Sequence, residues 1–371
     1  MNLTYPSSLF SPAFSIALAE TWDHLAARLH RKMALAASGT CPEKKQKTFS
    51  EIDRRENFSS LQPPASSLQP FSHQAVLAEE VVAFLKPQPG KIFFDGTLGG
   101  GGHAELLLQA GARVVACDRD PAALAHAKKK LAAFGDRFVC FESNYAEAPF
   151  HLVAMGISQV DGILLDLGVS SHQIDTPERG FSFQKEGPLD MRMGRSGRTA
   201  ADIVNTADLA ELVKIFREYG EEPRALTFAT RIIRERHHQS ITTTLQLASL
   251  LAQGMRPGPR HPATKVFQAL RIAVNEEINS LESALPQLAD MLASQGRFAV
   301  ITFHSLEDRI VKRFFKKHAV AEIDNPTWSA PKPNPEQLFH PSLPHSVVAD
   351  AAELANNRRA RSARLRMAEK L

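Results

Sequence analysis

The sequence predicts an α/β fold: a parallel sheet covered by helices on both faces, with a helical subdomain inserted late in the strand order. Three observations predict it. From His73 to Asp166, short apolar runs alternate with stretches of helical periodicity. A run of glycines joins the first strand to the helix after it. The alternation then stops, and from about 174 to 290 only helical patterns occur before one more apolar strand.

Taken in order, Ala75 to Leu85 suits a short helix, ended by Pro87 and Gly90. Lys91-Ile-Phe-Phe-Asp95 reads as a buried strand, and Ala104 to Ala110 as a helix. Arg113 to Asp118 is a second strand, and Pro121 to Phe134 a helix with proline in its first turn and Asp120 as its cap. Arg137 to Phe141 and Gly162 to Asp166 are the third and fourth strands. Such near-continuous apolar strands belong to a sheet buried on both sides. In the helical stretch, Thr264 to Leu285 reads as one long helix, with Val266, Leu270, Val274, Ile278, Leu281 and Leu285 stepping by three and four. Phe298 to Phe303 is the last expected strand. The expected division is an α/β domain over 73–173 and 291–371, a helical insertion over 174–290, and a disordered extension over 1–72. That extension contains the linker-like run around Pro63-Pro64 and a possible helix over Thr21–Leu35.

Composition bounds the function. The chain has 371 residues, 43% of them hydrophobic, enough for a sizeable core. A formal net charge of +4 permits nucleic-acid binding without establishing it. The three cysteines, Cys41, Cys117 and Cys140, have no metal-like spacing and suit a reduced compartment. No apolar run has the length of a membrane span, and no clean signal peptide is visible, so a cytoplasmic protein is expected.

The chemistry concentrates at strand ends. Asp95-Gly-Thr-Leu-Gly-Gly-Gly-Gly-His103 joins a strand to a helix, where missing Cβ atoms let backbone approach a ligand. Gly99, Gly101 and Ala104 also satisfy the loose dinucleotide pattern G-x-G-x-x-A. Asp118, ending the second strand, is placed for ribose hydroxyls, a need that NAD and S-adenosylmethionine share. Asp95 discriminates between them. An acid there suits a cationic amino-acid moiety and would repel a pyrophosphate. Tyr145 can pack on adenine, and Asp166 opens a Gly-Ser loop facing both cofactor and nucleophile. The reading this favours is an S-adenosylmethionine-dependent methyltransferase. An oxidoreductase using the same turn and a silent RNA-binding protein remain as alternatives.

Other candidates lie further on. Ser305 reads as a helix cap with Asp308 three residues later, and His304 as a substrate-side option. Arg231, Arg234 and Arg236, with His237-His238, form a basic helical stretch expected to face solvent or RNA rather than metal. Arg358, Arg359, Arg361, Arg364 and Arg366 form the densest basic block, either phosphate-binding or a solvated tail.

From His73 onward the chain resembles the ribosomal RNA small subunit methyltransferase H family, MraW-type enzymes that methylate N4 of a cytidine in the decoding region. The blocks that carry the resemblance are Asp95-Gly-Thr97 with Gly99 and Gly101-Gly-His103; Asp118-Arg-Asp-Pro121; Asp161 to Ser171; Glu178-Arg-Gly-Phe-Ser-Phe183; Gly187 to Met193; Tyr219-Gly-Glu-Glu222; Phe267 to Ile272; and Phe303 to Phe314. The resemblance implies a Rossmann-like S-adenosylmethionine methyltransferase fold acting on small-subunit ribosomal RNA or the 30S particle, with no metal and no membrane. It implies cofactor contacts at Gly101, Gly102, His103, Asp118, Tyr145, Asp166 and Gln173. Gln173 comes from the resemblance alone. His172 stands where proline is common in the family, and Leu98 where phenylalanine is. Amino methyltransferases usually carry an acid or amide followed by Pro-Pro-aromatic at the fourth strand. Asp166-Leu-Gly168 stands there instead, so neither the residues nor the resemblance names a catalytic residue.

Overall fold

The computed structural model describes residues 75–371, except Pro257, Asn325, Pro326, Trp328, residues 342–345 and the side chain of Arg358. The N-terminal extension and the helix expected in it lie outside the described residues.

The chain begins with α1 (Ala78–Leu85), β1 (Ile92–Asp95), α2 (Gly102–Gln109), β2 (Arg113–Asp118), α3 (Pro121–Lys130), β3 (Phe138–Glu142), α4 (Ala148–Ala154) and β4 (Val160–Asp166). Then come α5 (Ser171–Asp175), α6 (Ala200–Thr206), α7 (Leu209–Glu218), α8 (Ala225–Arg236), α9 (Thr244–Ala252), α10 (Thr264–Asn275) and α11 (Glu277–Met291). The sheet resumes with β5 (Leu292–Thr302), followed by α12 (Ser305–Ala319), a small hairpin of β6 (Glu322–Ile323) and β7 (Lys332–Pro333), β8 (Val347–Val348), α13 (Ala351–Asn356) and β9 (Arg364–Glu369).

The main sheet runs in the order β3-β2-β1-β4-β5-β9-β8. Strands β1 to β5 are parallel, while β9 is antiparallel to β5 and β8 to β9. Strand order reverses beside β1, so the carboxyl ends of β1 and β4 diverge there and leave a crevice. Successive side chains alternate between two buried faces. Phe93, Leu164, Ala299 and Ile301 pack with α1, α2 and α3. Phe94, Ile163, Leu165, Phe298 and Val300 pack with α4, α11 and α12. Leu189 to Leu270 builds a separate apolar cluster around Phe216, Phe228 and Leu247.

Three expectations are corrected. The single helix over Thr264–Leu285 is two helices, because Glu276 takes a left-handed φ of 51°. Asn275 supports the break: its Nδ2 donates to the carbonyls of Arg271 and Met191, and its Oδ1 accepts the Met193 amide. The helix from Pro121 ends at Lys130 and passes into a 3-10 stretch. The C-terminal basic block contains strand β9, in which Arg366 is nearly buried and binds Asp308 through Nε at 2.8 Å and Nη2 at 3.0 Å.

Candidate active site

A cavity opens at the carboxyl ends of β1, β2, β4 and β5, and α11 forms its opposite wall. The glycine turn supplies Gly96, Thr97, Leu98 and Gly99, and the start of α2 supplies Gly102 and His103. Gly96 is required by close packing, since a Cβ there would lie 2.5 Å from Leu165 and 3.0 Å from the Tyr145 Cβ.

Asp118, Asp166 and Glu307 border this space and Asp95 lies close by, each held differently. Asp118 ends β2 and accepts the Gly99 amide on Oδ2 and the Asp120 amide on Oδ1, both at 2.8 Å. Burial lifts its carboxyl to about 6 against those amides. Asp95 sits beneath the turn, does not border the cavity, and accepts the Thr97 amide at 3.1 Å. Burial lifts it to about 7 despite that amide, with the Asp118 charge adding to the rise. The sequence expectation that Asp95 faces a cationic ligand directly is therefore corrected, because its place in β1 turns it under the loop rather than into the crevice.

Asp166 ends β4, and its backbone amide donates to Thr97 Oγ1 at 2.6 Å. Its Oδ2 lies 3.7 Å from His103 Nδ1, and its buried Oδ1 has no hydrogen-bond partner. Burial, then the charges of Asp95 and Glu307, hold its carboxyl well above the usual carboxylate range. Glu307 is the reverse case. Burial pushes it up, but neighbouring His304 and Arg271 and the Phe303 amide outweigh that and hold it below its ordinary value.

Glu307 belongs to a cap that sequence reasoning placed one residue late. The cap of α12 is His304 rather than Ser305. Glu307 Oε2 accepts the amides of Phe303 at 2.9 Å and His304 at 3.3 Å, while His304 Nδ1 accepts the Glu307 amide at 3.5 Å. Ser305 is free of that task because its hydroxyl donates to Glu221 Oε2 at 2.6 Å. The Asp308 expected to complete the cap instead binds Arg366.

Glu277, His304 and Glu307 bring ligand-type atoms within 4.8 Å of one another. Arg271 already grips both Glu277 oxygens, at 2.9 and 2.8 Å, so the positive charge a metal ion would bring is present. The cluster reads as a closed ion-pair network.

The structure brings Gly102, His103, Asp118, Tyr145, Asp166 and Gln173 to the cavity. Gly101 stands apart. With φ 74° it makes the turn, and the space a Cβ would take faces Leu131 and Ala127 of the neighbouring helix. His103 Nε2 contacts the Val76 carbonyl at 2.9 Å. Gln173 donates to Asp120 Oδ2 at 2.9 Å, and its Oε1 accepts the Ser170 amide, so it braces the loop after β4. Asp120 caps α3 as expected, accepting the Ala122 amide at 3.0 Å. Sequence reasoning missed Glu277, Ser280 and Leu281, which the helix break at Glu276 turns toward the cavity, and it read Arg359, which also lines the cavity, only as part of a phosphate-binding or solvated basic block.

The basic stretch on α8 is also corrected in part. Arg231 Nη1 donates to the carbonyls of Leu250, Leu251 and Gln253, and Arg236 Nη1 to those of Val204 and Ala207. These guanidinium groups cap helix ends. Arg234, His237 and His238 remain exposed.

A profile of the MraW methylase family matches residues 70–371. The chain is 48% identical over 305 residues to "Ribosomal RNA small subunit methyltransferase H" of Anaeromyxobacter sp. (strain K), covering 81% of this chain and 98% of that protein. It is 48% identical over 309 residues to the protein of that name in Syntrophotalea carbinolica, with the same two shares covered. The protein of that name in Geobacter sulfurreducens is 47% identical over 315 residues, covering 81% of this chain and 99% of that protein. The chain belongs to the MraW methylase family.

Proposed function

We propose that this protein is an S-adenosylmethionine-dependent methyltransferase that methylates N4 of a cytidine in the decoding region of small-subunit ribosomal RNA. The observation that carries the cofactor is the cavity itself. A half-buried acid ends β2, a glycine turn offers open backbone, and a carboxylate oxygen of Asp166, which lines the cavity, has no hydrogen-bond partner. Those donors fit the group: acids for ribose hydroxyls and for positive charge, and Tyr145 for an aromatic base. Bound there, the cofactor supplies an electrophilic methyl. Asp118, Gly99, Gly102, His103, Tyr145 and Asp166 would hold it, with Gly101 shaping the turn and Gln173 bracing the loop.

The kind of acceptor follows from family membership and the relatives' names. A cytosine amine is a weak nucleophile, so the site must orient it and take a proton. The target base must be splayed from its stack into the crevice, a state that loops of folded RNA or a 30S particle present. We assign 73–173 with 291–371 to the catalytic domain and 174–290 to the substrate side, because Met193 reaches the cavity from that segment. No helix among the described residues is long and apolar enough to cross a membrane. Action on ribosomes in the cytoplasm is part of the proposed reading.

The test is mass spectrometry of small-subunit ribosomal RNA from particles lacking the modification, after incubation with this protein and methyl-labelled cofactor. N4-methylcytidine in the decoding region is expected. Label on another atom, or none, overturns the acceptor assignment.

A further inference from the structure

We propose that Glu307, positioned by His304, is the base that takes the proton from the target amine, so that the cap of α12 doubles as the proton-accepting pair of the active site. The inference rests on the N4 reading above for the identity of the amine.

The cap is chemically unusual. Helix caps are normally Ser, Thr, Asp or Asn, and a serine stands next to this one. Yet a histidine occupies the cap, and its partner is a nearly fully buried glutamate that borders the cavity. A cap needs only one oxygen of that glutamate. Oε2 accepts two backbone amides, whereas Oε1 is left facing His304 Nε2 at 3.0 Å. With Nδ1 accepting the Glu307 amide, the ring proton falls on Nε2. That nitrogen is buried and off the line of a hydrogen bond. Glu307 is therefore fixed through Oε2 and His304, and it borders the cavity.

The groups facing Glu307 assign the roles. His304 and Glu277 on α11 lie beside it, with Arg271 on α10, Tyr145 after β3 and Asp166 at the end of β4 also acting on or near it. Asp118, Asp166 and Glu277 line the same cavity as Glu307, and the surroundings of Asp166 and Glu307 push these two apart. Asp166 is driven toward the protonated form and Glu307 toward the ionised form. Such a separation marks the ionised member as acceptor. In the transfer, the amine lone pair forms the N–C bond while the C–S bond breaks with its pair to sulfur. The proton left on the nitrogen moves to Glu307 Oε1, giving a neutral carboxylic acid that returns the proton to solvent at the cavity mouth.

Glu307→Gln and His304→Asn test this, because glutamine and asparagine both preserve the cap. The full chain is used, with undermethylated small-subunit particles. Cofactor affinity by calorimetry should stay within about 3-fold of the wild type, while the single-turnover rate should fall about 100-fold or more in Glu307→Gln, the usual scale of general-base loss. In His304→Asn the acidic limb of the pH–rate profile should move up. Independently of activity, ¹³C NMR of labelled glutamate δ-carbons in the cofactor-free protein should show Glu307 titrating below ordinary glutamates, and higher in His304→Asn. A folded Glu307→Gln with a wild-type rate overturns the proposal. If that variant does not fold, a folded His304→Asn with an unmoved acidic limb and an unmoved NMR midpoint overturns it. If the wild type methylates an atom other than N4, the N4 reading falls, and the same variant rates still judge the base.

Discussion

Asp118 at the end of β2 holds the Gly99 amide at 2.8 Å across the mouth of the glycine turn, so one carboxylate both shapes the turn and faces the cavity. Its buried carboxyl is lifted to about 6.

Cofactor binding should therefore depend on pH through Asp118. The ionised form is the better acceptor for ribose hydroxyls, so affinity should rise as pH increases through about 6 and level off above it. Asp118→Ala should weaken binding by about 1–3 kcal/mol at pH 8, the cost of losing a hydrogen bond to a charged group. Titration calorimetry between pH 5 and 8, flat and unaffected by the substitution, would remove Asp118 from the site.

Asp95 predicts a stability effect of a particular sign. Its folded value, about 7, lies above the unfolded one, so the cofactor-free folded state binds the extra proton and loses stability as pH rises from about 4 through about 7. Asp95→Asn removes that buried charge. The variant should melt above the wild type at pH 8 and near it at pH 4. One pKa unit corresponds to about 1.4 kcal/mol, so the gain is at most about 4 kcal/mol. A variant less stable than the wild type at pH 8 would contradict this.

Arg236 should matter to folding rather than to RNA. Its guanidinium satisfies the carbonyls of Val204 and Ala207 at 2.9 and 2.7 Å. Arg236→Ala should cost about 1–3 kcal/mol in denaturant unfolding and leave the salt dependence of RNA binding unchanged. A reduced salt slope at unchanged stability would restore the phosphate reading.

Asp308 and Arg366 make the corresponding case in β9. Asp308→Ala takes two hydrogen bonds from the nearly buried Arg366 and should destabilise by about 1–3 kcal/mol. Urea unfolding checks this, and a loss below about 1 kcal/mol would mean that water or another group takes over the guanidinium.

The alternating apolar runs, the glycine turn and the acids closing β1, β2 and β4 are local patterns. The sequence alone therefore determined the parallel sheet, its inserted helices and most residues of the cavity, since backbone propensity and burial act over a few neighbours. Only the tertiary structure decided how side chains from distant segments were used. Helical periodicity runs unbroken across Glu276 because α11 restarts at the next residue. The break is stabilised by Asn275 reaching Met191 and Met193, more than 80 residues away in sequence, and it brings Glu277 to the cavity. Arg364 to Glu369 carries too many charges to read as a strand, yet β5 offers an open edge and Asp308 a counter-charge. The shift of the α12 cap from Ser305 to His304 has the same origin. Local preference favours serine as the cap, but Glu221, brought in from the helical insertion, engages the serine, and the histidine caps beside Glu307.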